Sequence, residues 1–190
     1  MSLRVFHRAD DAGAEAIPLS PDAQGLRKVL GCFTTGVVVA TTLGPSEMPV
    51  GLTINSFNSV SLNPPLILWS LSLSAPSLAA FRGHPAFAIN ILSADQADLC
   101  HRFARPARDK FAGIPWSRGL MNVPLLSDAL ASLECAVWRR HEGGDHEIII
   151  GEVRHLRATD KAPLVYHRGR LTQLPADDKS GSMSAMGGLA

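Results

Sequence analysis

Residues 36–65 read GVVVATTLGPSEMPVGLTINSFNSVSLNPP. The first eight, Gly36 to Leu43, are rich in β-branched residues and unbroken by charge, which suits a strand covered on both faces. Gly44-Pro45-Ser46 then reverses the chain and Pro49 to Asn55 runs back, so the stretch opens with a hairpin of buried strands. Beyond the hairpin the chain changes character. Thr53, Asn55, Ser56, Ser59 and Ser61 place small donors and acceptors where the chain should leave the sheet, before Pro64-Pro65 closes the block.

Downstream, Leu66 to Ser72 reads as a further strand, Pro76 to Arg82 as a short helix ended by Gly83, and Phe87 to Leu92 as another strand. Ser93-Ala-Asp-Gln96 has the capping-box form and predicts a helix through about Ala104, with Leu99, Cys100 and Phe103 turned inward. Upstream, Ser20-Pro21-Asp22 marks a helix start, with Ser20 as cap and Pro21 at the first helical position. Ala23, Leu26, Val29, Leu30 and Phe33 then share one side that is expected to enter the core. Residues 105–128 hold many Pro, Gly, Arg and Asp and read as an irregular excursion, long for a compact domain. Leu133, Cys135 and Val137 alternate with Ser132 and Glu134, and Ile148 to Ile150 leads into Val153. These two strands are joined by His141-Glu142-Gly143-Gly144-Asp145 as a second hairpin. Leu164 to Tyr166 and Leu171 to Leu174 are short final strands. Six or seven strands against two or three short helices, linked mostly by turns, predict a mainly β chain with short helices. The architecture expected is a closed or nearly closed antiparallel barrel, not a doubly wound parallel sheet.

The 190 residues make one domain, expected over 20–175, with mobile tails at 1–19 and 176–190. Eighteen basic against 17 acidic residues give a net charge of +1, which argues against nucleic acid or an anionic membrane as partner. No window approaches the roughly 18 apolar residues of a membrane span, and residues 1–16 lack the apolar block of a secretory signal. Three cysteines, Cys32, Cys100 and Cys135, lie far apart in apolar surroundings and are expected to be buried thiols of a cytoplasmic protein. Charged residues are 18% of the chain, below the roughly 25% usual for soluble domains, while hydrophobic residues reach 46%. Some apolar surface is therefore expected to be covered by a second copy.

Several chemistries are excluded. There is no G-x-G-x-x-G, no G-x-x-x-x-G-K-[ST] and no G-x-S-x-G. His141 and His146 are one residue too far apart for a zincin pair, and Gly143-Gly144 would break the helix that such a pair needs, so no metal is expected. The Thr53–Ser61 donors taken alone read either as an ordinary solvated turn, where such residues are common, or as a lining for the polar edge of a planar heterocycle whose faces are covered by apolar groups. Ser70, Ser72, Ser74 and Ser77 lead to the start of the helix near Pro76, where free amides suit a phosphate, and Arg105, Arg108 and Lys110 could oppose it.

Taken together, Gly36 to Thr42, the block Gly51 to Pro65, Phe87 to Ser93, and Gly144-Asp145-His146 followed by Ile150-Gly151-Glu152-Val153 resemble the short-chain flavin reductase family, in order and in spacing, over about residues 22–174. The resemblance implies a flavin-binding split β-barrel that dimerises and uses NADH or NADPH to reduce FMN or FAD, handing the reduced flavin to a partner monooxygenase. Carried over residue by residue, it places the flavin ring and ribityl chain against Thr53, Ile54, Asn55, Ser56, Ser59 and Val60. It places the phosphate near Ser74 and Ser77, with Phe103 and Lys110 further along the wall. Asn90 fits either an inward polar contact or a structural support. Gly144, Asp145 and His146 become the contacts of the nicotinamide nucleotide, His146 also being the candidate catalytic residue through orientation or charge neutralisation. Ile54 and Asn58 stand where such blocks more often carry Ala or Val and Thr, and Cys32-Phe33 precedes an unusual Thr-Thr-Gly. Hydride transfer needs two rings stacked at roughly 3–3.5 Å with water excluded, the electrons being the cofactors' own. Two other readings compete with this one. The first is a barrel that holds FMN tightly without fast nicotinamide turnover, and the second is a ligand-free assembly domain.

Overall fold

The computed structural model of the chain describes residues 21–174. Both expected tails, and Ser20 as a cap, lie outside the described residues. In chain order the elements are α1 (Ala23–Leu30), β1 (Thr35–Gly36), β2 (Val38–Leu43), β3 (Pro49–Ile54), β4 (Asn58–Leu62), β5 (Pro65–Ser72), α2 (Leu78–Gly83), β6 (Ala86–Ile91), α3 (Ala97–Ala104), β7 (Trp116–Arg118), β8 (Pro124–Leu126), β9 (Ala131–Gly143), β10 (His146–Ala158), β11 (Leu164–His167) and β12 (Arg170–Gln173).

Seven strands form one antiparallel sheet in the order β3-β2-β6-β9-β10-β5-β4. Its two edges, β3 and β4, are joined by only Asn55, Ser56 and Phe57. At about 3.3–3.6 Å per residue such a link reaches no further than roughly 14 Å, so the sheet must curl until its edges face each other. The Ser56 hydroxyl secures that closure from the link itself, donating to the Ser70 carbonyl (3.2 Å) and accepting from the Ser70 amide (3.0 Å) of β5. The result is a barrel split between β3 and β4. A smaller sheet, β1-β11-β12, and the hairpin β7–β8 lie outside it.

The unbroken apolar run of β2 is explained by burial on both faces. Val38 and Ala40 point into the barrel with Ile67, Trp69, Leu71, Phe81, Phe87, Ile89, Cys135 and Ile149. Val37 and Val39 face a second core made with Leu92, Cys100, Phe103, Phe111, Leu126 and Leu164. Thr41 and Thr42, also fully buried, stay satisfied by donating their hydroxyls to the carbonyls of Pro124 and Ala86.

Several expectations are corrected. Asp22, not a residue before it, caps α1, its carboxylate accepting from the amides of Gln24 (3.0 Å) and Gly25 (2.8 Å). That helix does not enter the core. None of its residues is buried, and Leu26, Val29, Leu30 and Phe33 are 52%, 56%, 61% and 74% exposed, because no other described element of the chain packs over the stripe. Cys32, at its end, is exposed too, while Cys100 and Cys135 are buried as expected. Asn58–Leu62, read as part of an exit, is a strand on the sheet edge. The excursion 105–128 contains the β7–β8 hairpin. The second hairpin has only Gly144 and Asp145 between its strands, since His141 and Glu142 continue the ladder opposite Ile148 and Glu147. Gly144 adopts φ +70°, a conformation that such a tight turn requires and that glycine takes without strain. The capping box forms by half: Gln96 Oε1 accepts from the Ser93 amide, but the Ser93 hydroxyl turns to Asp95.

Candidate functional site

Along β3, the end of α3 and the segment after it border a cleft of about 870 Å3. One wall is Met48 to Thr53, the second is Ala75-Pro76-Ser77 leading into α2, and the third is Phe103 and Ala104 continued by Pro106 to Lys110. The walls are mostly apolar, with a few polar groups between them, and the volume lies in the roughly 300–1,000 Å3 range of small-molecule and cofactor sites.

Close packing fixes these walls. Gly51 leaves bare backbone against the fully buried Phe103 ring, and a Cβ there would come within 2.9 Å of a ring carbon. Phe103 in turn meets Phe111 edge to face at 5.0 Å between centroids. Thr53 Oγ1 donates to the Cys100 carbonyl (2.8 Å), pinning β3 to α3. Lys110 Nζ donates to the Gly51 carbonyl (3.3 Å) and the Phe103 carbonyl (2.7 Å), so the excursion is tied across both. Burial pulls the Lys110 ammonium below the ordinary lysine range, which suits a cation held among carbonyls rather than in water. Asp109 accepts from the amides of Phe111 and Ala112 and shapes the bend that presents Arg108, an exposed guanidinium on the cleft lining. Ser77 precedes α2 without using its hydroxyl as a helix cap.

The expected site residues do not all fall in one place. Thr53, Ser77, Phe103 and Lys110 line the cleft together. Ile54, Asn55, Ser56, Ser59 and Val60 continue from Thr53 along the link and onto β4; Ile54 packs on the barrel core, while Asn55, Ser59 and Val60 are exposed. Ser74 is exposed beside the second wall, its hydroxyl sharing a 2.9 Å hydrogen bond with that of Ser72. Asn90 stands apart. It is fully buried on β6, donating from Nδ2 to Val39 O and Thr41 Oγ1 and accepting at Oδ1 from Leu126 N and Ser132 Oγ. All four of its hydrogen-bonding positions are spent, so its geometry is that of a structural support.

Gly144, Asp145 and His146 form the tip and first strand residue of the β9–β10 hairpin. His146 Nδ1 and the Asp145 carboxylate lie 2.7 Å apart, and this hydrogen bond, reinforced by the imidazole charge, holds the Asp145 carboxyl below its usual range. The tip adjoins the second cleft wall, because the Leu73 amide donates to the Asp145 carbonyl and His146 pairs with Ser72. Burial keeps both buried thiols protonated at neutral pH. Burial, then the charge of Glu134, pushes Cys135 up to about 12, and burial raises Cys100.

Sequence reasoning misses Met48, Pro49, Val50, Gly51, Leu52, Ala75, Pro76, Ala104, Pro106, Ala107 and Asp109 as lining residues. Most are small, apolar or proline and carry no chemical signature. Gly51, a glycine inside a strand, is the one available sign of close approach.

Residues 30–175 match the family described as Flavin reductase like domain. The chain is 43% identical over 153 residues to the FMN reductase (NADH) SmoA of Agrobacterium fabrum, covering 80% of this chain and 87% of that protein. It is 38% identical over 165 residues to the flavin-dependent monooxygenase reductase subunit HsaB of Rhodococcus jostii, covering 86% and 82%. Among solved structures, the NADH:FAD oxidoreductase SgcE6 of Streptomyces globisporus, in complex with NAD and FAD fragments, superposes with a TM-score of 0.81 at 37% identity, covering 86% of this chain and 99% of that one.

Proposed function

The chain belongs to the flavin reductase-like family, and on that basis we propose that it is an NAD(P)H:flavin oxidoreductase that reduces FMN or FAD and supplies the reduced flavin to a partner monooxygenase. It is an oxidoreductase by kinship with proteins named FMN reductase (NADH) and NADH:FAD oxidoreductase. The partner is inferred from relatives named as reductase subunits of monooxygenases.

The observation that carries the reading is the cleft beside β3: it has the size for a flavin, mostly apolar walls to cover a ring, and the hydroxyls of Thr53 and Ser77 with the Arg108 guanidinium on its lining. When bound, the flavin accepts a hydride from the reduced nicotinamide; that chemistry belongs to the two cofactors. The residues of the chain bind, orient and exclude water. Thr53 to Ser56, with Ser59 and Val60 across the split, hold the ring and ribityl chain, while Phe103 and Lys110 stiffen the opposite wall. Ser74, Ser77 and Arg108 receive the phosphate. Gly144 and Asp145 shape the turn on which His146 orients the nicotinamide. Asp145, ionised at neutral pH, fixes the imidazole through Nδ1 and leaves Nε2 free.

The domain extends over 20–175 in this reading, and the molecule is a homodimer. The exposed stripe on α1 and Phe33 supports the second statement, since four large apolar side chains in one region need a cover that the described chain does not provide. Among the described residues no helix is long and apolar enough to cross a membrane.

The test is to measure oxidation of NADH and of NADPH by the purified chain with FMN, with FAD and with no flavin. Saturable, flavin-dependent oxidation is expected. Oxidation no faster than in the protein-free mixture would refute the assignment.

A further inference from the structure

Outside the cleft, one carboxylate gathers two guanidinium groups, one from α2 and one from β9. Glu147 comes directly after His146 on β10 and is only 8% exposed. Its Oε2 accepts from Arg82 Nε and Nη2, both at 2.9 Å, and its Oε1 accepts from Arg140 Nη1 at 2.7 Å. Arg140 Nη2 donates in turn to the Phe81 carbonyl. α2 is therefore tied at two successive residues, Phe81 and Arg82, to the β9–β10 hairpin. Burial by itself would raise the Glu147 carboxyl, but the hydrogen bonds and charges of Arg82 and Arg140 outweigh it and hold the group below its usual range.

The two elements this network joins both border the cofactor sites. α2 has six residues, too few for its own helical hydrogen bonds to define it, and its leading end is the Ala75-Pro76-Ser77 wall of the cleft. The hairpin ends in Gly144-Asp145-His146. The segment that leads from β5 into that wall is joined to the hairpin tip by the Leu73 amide donating to the Asp145 carbonyl, and Glu147 ties α2 itself to the hairpin. Stability alone is a poor account of such an arrangement, because a buried carboxylate between two guanidinium groups gains little over apolar packing of the same volume. What arginine–carboxylate forks supply that apolar contacts do not is a defined separation and angle.

We infer that the Arg82–Glu147–Arg140 network is a positioning device for hydride transfer, setting the Ser77 wall of the cleft at a fixed distance and angle from the Gly144-Asp145-His146 turn. The inference rests on the function proposed above. A flavin held by the wall moves with α2, whereas a nicotinamide held by the turn moves with the hairpin. Loosening the network leaves each nucleotide its own contacts and spoils the register between the rings, and misplacement by about 1 Å is enough to cost roughly 100-fold in rate.

The experiment is steady-state NADH oxidation with FMN by the full chain, wild type against Glu147→Gln and Arg82→Lys, together with flavin titration by fluorescence. Glu147→Gln is expected to lower kcat/KM for NADH by about tenfold or more, with the flavin dissociation constant changed less than about twofold. Arg82→Lys, which keeps the charge and loses the fork, is expected to show a smaller loss of the same kind. Variants that match wild type in both constants and differ only in melting temperature would overturn the inference, as would a loss of flavin affinity equal to the loss of turnover. Should Glu147→Gln fail to fold, Arg82→Lys decides by the same criterion, its side chain being half exposed. A wild-type chain without flavin-dependent NADH oxidation would refute the functional reading itself. An active wild type with unaltered variants would refute only the positioning role.

Discussion

α1 and α3 are both eight residues long, and both carry an apolar stripe along one side of a polar helix. α3 buries Cys100 and Phe103 against β2 and the excursion, while α1 buries nothing. Periodicity reports that a face needs covering; it does not report what covers it. α3 is placed by contacts from elsewhere in the chain, namely Thr53 to Cys100 and Lys110 to Phe103. α1 is held by its cap and by the chain at its end, where Arg168 donates its amide to the Gly31 carbonyl.

Substitutions probe this contrast. Phe103→Ala should destabilise the fold by about 3–5 kcal/mol, measured by urea unfolding, because it empties a fully buried ring site. Gly51→Ala pushes a methyl against the same ring and should cost about 1–3 kcal/mol, unless the ring can retreat. Asp22→Ala removes the α1 cap and should cost about 1 kcal/mol of local helix stability. Hydrogen exchange is expected to report it as faster exchange of the α1 amides. Leu30→Gln, on the exposed stripe, should alter unfolding of the monomer by less than about 0.5 kcal/mol. In sedimentation it is expected to weaken the proposed dimer. An unfolding cost from Leu30→Gln comparable to that from Phe103→Ala would show that the two helices are not different in kind.

The same contrast explains what can be read from the sequence. The β2–β3 hairpin is legible because residues 37–43 are buried on both faces and flanked by turn residues, so local composition and tertiary position agree. β4 is not, because a strand lying almost wholly exposed on a sheet edge has no alternation to betray it. The length of β9 and β10 is hidden by His141, Glu142 and Gly143, which belong to the ladder only because β10 continues opposite them. At the site, Thr53, Ser77, Phe103 and Lys110 are legible through resemblance, and the structure brings them to one cleft. The proline- and alanine-lined parts of that cleft are not, since they are defined by where α3 and residues 106–110 come to rest. Asn90 shows the converse: a polar residue in an apolar strand signals a partner, but here its partners are four groups of the chain itself.

The proposed function requires flavin to occupy the cleft walled by β3, the start of α2 and the end of α3. Titration of FMN into the wild type and into Thr53→Trp, read by flavin fluorescence, decides whether it does. Saturable binding by the wild type and a weakening of about tenfold or more in a variant that keeps its far-UV circular dichroism is the predicted result, since an indole would fill the space proposed for the ring. Superimposable binding curves for the two proteins would contradict it.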